Sequence, residues 1–252
     1  MKVRTNEALV AKRRRTALLL SLGGIAVLGV GLAINMKGWG GAAGASGDLA
    51  PGVPFASLPY FALVIGTIMS WIGISISDRW SLPPRADLAL EHGLKGAGQA
   101  YTLYNWLLPA EHVLLAPWGL AVIAVNNCDG PVEVKGSRWR DARPIWRRAL
   151  SVGRRPVRDP RRRLGIETAA LASAIAARDA DSELGDVTVE GLAVFSQPAV
   201  SVSATEPSVP ALRTDELADW LRDKAKSPSM SPGRRRRLER LLDEIANERL
   251  ER

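Results

Sequence analysis

Two long uncharged stretches dominate the first third of the chain. Residues 17–34 are apolar apart from one side-chain hydroxyl, Ser21, and residues 56–77 form a second run without charge. At about 1.5 Å per helical residue, each run spans most or all of a hydrocarbon core of about 30 Å. A buried helix of a soluble protein carries a polar stripe, and neither run has one. Trp39, Trp71 and Trp80 fall towards the ends of the runs, where indole rings favour the membrane interface. The pattern predicts a transmembrane α-hairpin over residues 16–78. The rival reading of the first run is a signal peptide cleaved at Ala43-Gly44-Ala45. Its length exceeds the usual apolar region of about 7–15 residues, which favours an uncleaved anchor.

Beyond the hairpin the apolar runs become short. The paired prolines of residues 81–85, SLPPR, predict a rigid exit. Residues 87–106 have a helical pattern broken by Gly93, Gly96 and Gly98, so one weak helix or two short ones are expected. Three strands follow, over 113–115, 120–125 and 132–135. The middle one is continuously apolar and reads as a central strand buried on both faces. Asp129-Gly130 is a hairpin signal, because a type I′ turn needs positive φ at both central positions. Asp159-Pro160 predicts a helix start running to about residue 178. A strand is expected over 187–195. A helix capped by Thr214 is expected over 215–226, burying Leu217, Trp220 and Leu221. A charged helix closes the chain from about 232 to 252. The expected organisation is thus a basic N-terminus (1–15), the hairpin (16–78), a domain (79–226) and a C-terminal helix (227–252).

Charge orients the hairpin. Lys2, Arg4, Lys12, Arg13, Arg14 and Arg15 precede the first run, only Lys37 and Asp48 lie between the runs, and Arg79 and Arg85 follow the second. The positive-inside rule then places both termini and the domain in the cytoplasm, at the inner membrane. The single cysteine, Cys128, excludes an intrachain disulfide, and with only His92 and His112 beside it the chain lacks a zinc ligand set. No resident metal or other cofactor is expected.

Eleven arginines crowd into residues 138–163: Arg138, Arg140, Arg143, Arg147, Arg148, Arg154, Arg155, Arg158, Arg161, Arg162 and Arg163. Only Asp141 and Asp159 oppose them, in a chain whose net charge is +8. Trp139 and Trp146 are interleaved, offering flat faces to bases or to a bilayer interface. Nucleic-acid phosphates, anionic lipid, or no ligand at all are the readings of such a segment. A membrane tether favours lipid.

Several stretches together resemble a nuclease-related (NERD) domain in a membrane-anchored form. They are Tyr101-Thr102-Leu103-Tyr104 as a helix end, Leu108-Pro109-Ala110-Glu111-His112-Val113, Pro117-Trp118-Gly119-Leu120-Ala121-Val122-Ile123, Asp129-Gly130, Gly136, Trp139, Asp159-Pro160 and the strand and helix over 209–221. The resemblance covers about residues 90–225. It implies an α/β domain of restriction-endonuclease-like αβββαβ order, the PD-(D/E)xK core. In active relatives a carboxylate at the position of Glu111 works with a Glu-x-Lys pair at the end of the second strand. Two carboxylates hold Mg²⁺ at the scissile phosphate, and the lysine serves the attacking water. Here those positions are Ala124 and Asn126, and Arg163 stands where the family often has glutamine.

The resemblance therefore implies a domain without its catalytic set, acting as a binding or scaffolding module. The alternative is a Mg²⁺-dependent nuclease with a rearranged site, Glu111 with Glu133 and Lys135, since Glu133-Val134-Lys135 is a literal Glu-x-Lys. Strand alternation instead makes Glu133 and Lys135 a solvent-facing pair between buried valines. His112 reads as a buried strand histidine and not a general base. The C-terminal helix has leucines at helical spacing; packing on its own domain is the default expectation, with a protein partner or the membrane as alternatives.

Overall fold

The computed structural model describes residues 1–40, 58–80, 85–128, 130–144, 157–179, 184 and 187–251. Residues 41–57, with the Ala43-Gly44-Ala45 site, and most of the expected exit at 81–85 lie outside the described residues, as does Asp129. The chain divides into two compact units, Glu7–Pro83 and a second made of Met1–Asn6 with Pro84–Arg252.

The first unit is a pair of helices, α1 (Glu7–Gly40) and α2 (Leu58–Trp80). Both are long and apolar enough to cross a membrane, with mean hydropathies of 2.4 and 1.7 over their apolar segments. Nineteen large apolar side chains are exposed among the described residues, and sixteen of them lie on these two helices. They do not pack as core helices of a soluble protein do. Where they meet, small residues let the backbones approach. A Cβ on Gly24 would lie 2.8 Å from Gly66 O, one on Gly66 would lie 2.9 Å from Gly24 O, and one on Gly73 would lie 2.6 Å from Ser21 N. Such spacing brings the two backbones into close van der Waals contact.

The second unit is built on a six-stranded sheet in the order β1-β2-β3-β4-β7-β9. Its strands are β1 (Lys2–Thr5), β2 (Thr102–Asn105), β3 (His112–Ala116), β4 (Gly119–Asn126), β7 (Val189–Phe195) and β9 (Ala211–Arg213). Only β3 runs antiparallel to its neighbours. Strand alternation divides the core into two layers. Val113, Leu115, Leu120, Val122 and Ala124 face the buried residues of α4 (Arg161–Ala176) and α6 (Pro232–Glu251). Leu114, Ala121, Ile123, Leu192 and Val194 face α3 (Ala86–Gly93) and α5 (Leu217–Lys224). The result is an α/β domain with helices on both faces of a mixed sheet, and β4 is the doubly buried central strand its composition foretold. A second sheet, β6-β5-β8, comprises β5 (Pro131–Lys135), β6 (Arg138–Asp141) and β8 (Ser201–Thr205). It covers a small core of Cys128, Val132, Val134, Phe195, Val200 and Ala211.

Several expectations change. Residues 102–105, expected to end a helix, form β2, a four-residue strand with every residue buried. A short apolar run is ambiguous by periodicity, and here β1 and β3 on either side decide it. The segment 132–135 is a strand, but in the second sheet, and residues 138–141 of the expected arginine-rich connection pair with it as β6. Helix α4 starts at Arg161, with the Asp159 carboxylate accepting the Arg161 N–H at 3.0 Å. Thr214 does not cap: its hydroxyl donates to Phe195 O at 2.9 Å, and a 3₁₀ turn (Thr214–Glu216) precedes α5.

The largest change is at the N-terminus. Residues 2–5 are not a free basic arm but the edge strand β1, parallel to β2 a hundred positions later. Helix α6 holds it there, which joins the C-terminal helix to the same unit. Leu238, Leu241, Leu242, Ile245 and Ala246 of α6 are buried in the core. On its flank, Glu239, Asp243 and Asn247 repeat at intervals of four and so lie in one row. Lys2 Nζ lies 3.4 Å from Glu239, Arg4 pairs with Asp243 and donates to Asn247 at 2.9 Å, and the Tyr104 hydroxyl donates to Asp243 at 2.8 Å. Burial, and then that hydrogen bond, raise the Tyr104 phenol well above its ordinary range.

Two outcomes follow. Gly24→Leu overpacks the helix pair and lowers its stability by about 1–3 kcal/mol, read from thermal melts in detergent, whereas Leu19→Ala on the exposed side leaves the melt unchanged. Arg4→Glu costs the domain about 1–2 kcal/mol, and adding Asp243→Arg restores most of it in a double-mutant cycle of urea unfolding.

Candidate functional site

Glu111 sits in the bend that leads into β3, where its carbonyl accepts the Trp106 N–H at 2.6 Å. Above it runs α4, whose buried stripe is Leu164, Glu167, Leu171 and Ile175. One member of that stripe is a carboxylate. Arg163, a turn earlier on the same helix, donates from Nε to Glu167 at 2.7 Å and pairs through Nη2 with Glu111. The Glu111 N–H points at the other Glu167 oxygen, 3.5 Å away. One guanidinium therefore bridges two carboxylates that approach from different elements. A planar fork of donors is suited to this, because it reaches two acceptors at once.

Glu167 was missed in the sequence, although a signal was present. It is the only acid of α4, and it occupies an apolar-stripe position where an unpaired charge is rare.

The β4 positions lie on the same face of the sheet. Ala124 is buried among the apolar residues under α4. Asn126 is nearly buried and donates from Nδ2 to Arg158 O at 2.9 Å, which ties the end of β4 to the start of α4. A divalent cation does not fit these residues. The two carboxylates already face a cation, Ala124 supplies no oxygen, and the Asn126 amide is turned to a backbone carbonyl. Among the described residues no group of three or more His, Cys, Asp or Glu converges.

Glu133 and Lys135 are on the exposed face of β5, alternating with buried Val132 and Val134. Glu133 lies opposite Arg140 and Ser203, and Lys135 opposite Arg138 and Thr205. Glu111 lies in the bend that leads into β3 of the other sheet, so this candidate trio is drawn from two separate environments.

The arginine-rich segment resolves into distinct groups. Arg143 chelates Asp141 (2.9 and 2.5 Å), Arg161 chelates Asp159 (3.0 and 2.6 Å), and Arg163 holds the two glutamates. The hydrogen bond from Arg161 holds the Asp159 carboxyl below the usual carboxylate range. Arg138, Arg140, Arg158 and Arg162 are exposed, and none makes an ion pair among the described residues. Arg147, Arg148, Arg154, Arg155 and Trp146 lie outside the described residues. Trp139 is half-buried, its ring 6.0 Å from that of Phe195, so it packs inward and offers no open stacking face.

His112 is fully buried at the start of β3. Its Nδ1 lies 2.8 Å from Asn105 Oδ1, Asn105 Nδ2 donates to Thr5 Oγ1 at 3.1 Å, and the Trp106 ring packs edge-on at 5.0 Å. Burial pushes its pKa down to about 3. The histidine is a neutral tie across β1, β2 and β3.

Comparison of the chain with family profiles, curated proteins and solved structures returned no match.

The His112 environment sets a pH dependence. Its folded-state pKa is below the unfolded value of about 6.5, so the unfolded chain takes up the proton first. Stability is full above pH 6.5 or so and declines by up to about 1.4 kcal/mol per pH unit as the pH falls towards the folded pKa. Urea unfolding between pH 7 and 4.5 or so reads this slope, and His112→Asn, which keeps a donor near Asn105, flattens it.

Proposed function

We propose that this chain is a membrane-tethered, NERD-like module whose nuclease-type centre is catalytically silent and which acts by binding or scaffolding at the cytoplasmic face of the inner membrane. The observation that carries the reading is the Arg163 guanidinium bridging Glu111 and Glu167, beside Ala124 and Asn126. A phosphodiester-cleaving centre of this type needs a divalent cation between its carboxylates and a basic group for the water. Here an arginine supplies the positive charge. Arginine keeps its proton and cannot act as the base, and it offers none of the Lewis acidity of Mg²⁺.

The order α3-β2-β3-β4-α4-β7 supports a restriction-endonuclease-like core: a helix, three sequential antiparallel strands, a helix, then a strand parallel to the third. It reaches the αβββαβ order with β2 in place of the strand at 132–135. Connectivity supports the tether. Residues 2–5 and the chain from 84 onward fold into one unit. The apolar insertion between them must therefore leave the membrane on the side where it entered, and two spans satisfy that. Cleavage after the first run would remove β1 from its sheet. Lys12, Arg13, Arg14 and Arg15 on α1 favour the cytoplasmic side.

The nuclease alternative, Glu111 with Glu133 and Lys135 around Mg²⁺, gains no support from a Glu133 and Lys135 that face solvent on the second sheet.

The test uses the full chain in detergent or nanodiscs, because residues 78–252 alone lack β1. With Mg²⁺ or Mn²⁺ and end-labelled DNA, strand integrity is expected to match that of a Glu111→Ala control. Metal-dependent cleavage that disappears on Glu111→Ala or Glu133→Ala would falsify the silent-centre reading.

A further inference from the structure

The outward face of the β6-β5-β8 sheet carries a cationic set that no other part of the described domain neutralises. Strand alternation turns Val132 and Val134 inward and Glu133 and Lys135 outward. Register then places Arg138 opposite Lys135 and Arg140 opposite Glu133 on that same outward face. Ser203 and Thr205 of β8, both exposed, lie opposite Glu133 and Lys135 on the other side. The face thus presents three cations and one acid with hydroxyl donors beside them. The neighbouring arginines differ: Arg143, Arg161 and Arg163 are each tied to carboxylates. Like charges directly opposite, as Lys135 and Arg138 are, weaken a sheet. A sheet that keeps such a pair outward and unopposed suits an anionic partner.

We infer that this face docks on the anionic phospholipid headgroups of the bilayer that carries the hairpin. The inference rests on the tethered reading above and names its partner. Connectivity selects lipid. A single residue, Asn6, joins β1 to α1, and residues 81–85 join α2 to α3. Such short connections keep the domain at high effective concentration near a headgroup surface, where each basic side chain contributes about 1 kcal/mol, within a Debye length of about 10 Å. A soluble polyanion has no such advantage.

The test keeps the full chain. Cys128 is completely buried, so a spin label on Ser203→Cys reports the outward face selectively. The protein is placed in nanodiscs of phosphatidylcholine alone or with phosphatidylglycerol, and the label's access to a water-soluble relaxation agent is measured. Protection in the phosphatidylglycerol discs, lost at high salt, is expected. Neutralising Lys135→Gln, Arg138→Gln and Arg140→Gln lowers the docking equilibrium about fivefold for each cation, whereas Lys226→Gln, exposed in the turn after α5, leaves it unchanged. Equal access in both lipids with the chain inserted overturns the docking and leaves the tether standing; failure to insert overturns the tether and the docking with it. Protection that survives the three glutamines, or that arises in neutral discs only when duplex DNA is added, also rejects lipid as the partner.

Discussion

The pairing of β1 with β2 is the interaction on which the domain depends. The four residues of β1 are separated from their partner strand by the two apolar helices and α3, so the local chain contributes nothing to bringing them together. Three layers of contact hold them instead. Ladder hydrogen bonds close the outer edge of β2, which would otherwise present unpaired backbone groups. The Thr5–Asn105–His112 chain of hydrogen bonds crosses three strands beneath Trp106. Lys2 and Arg4 supply the cations for the row of Glu239 and Asp243 on α6. Without β1, those carboxylates and the Tyr104 hydroxyl would lose the Lys2 and Arg4 ion pairs, and breaking such partly buried pairs costs more than their formation gains.

A parallel economy governs the carboxylates on the other side of α6's layer. Glu167 is nearly buried and Glu111 is close to it, so the pair needs a positive neighbour. A divalent ion and a guanidinium both meet that need, with different consequences. The ion keeps coordination positions that exchange water and can take a phosphate oxygen. The guanidinium is covalently fixed, with its donors directed at acceptors that are already present. Arg163 therefore ties α4 to the bend before β3, and the helix–strand contact is a structural joint.

Much of this architecture was legible in the sequence, and what was not has physical causes. The apolar runs, the doubly buried β4, the β7 strand, the α4 and α6 helices and the outward Glu133 and Lys135 all follow from periodicities within one element. β2 was misread because Thr102–Asn105 is four residues long and carries both helix- and strand-compatible side chains; its identity comes from β1 and β3. β1 itself has no local signature, since Lys2, Arg4 and Thr5 read as a basic arm until α6 is seen beside them. The Arg163 bridge between Glu111 and Glu167 has no local signature, because Glu167 is distant in sequence from Glu111 and its role is set by packing. The inward turn of Trp139 similarly depends on Phe195, more than fifty residues later.

The clasp between β1 and α6 also sets an order of events during synthesis. Lys2 is made well before Glu239, which it meets 237 positions later. At about 5–20 residues per second, β1 waits roughly ten to fifty seconds for the helix that locks it. During that interval both apolar helices and then β2 emerge, so the strand at the sheet edge meets its partner well before its lock. The domain therefore closes only after α6 is made, with both apolar helices already in the chain between β1 and β2.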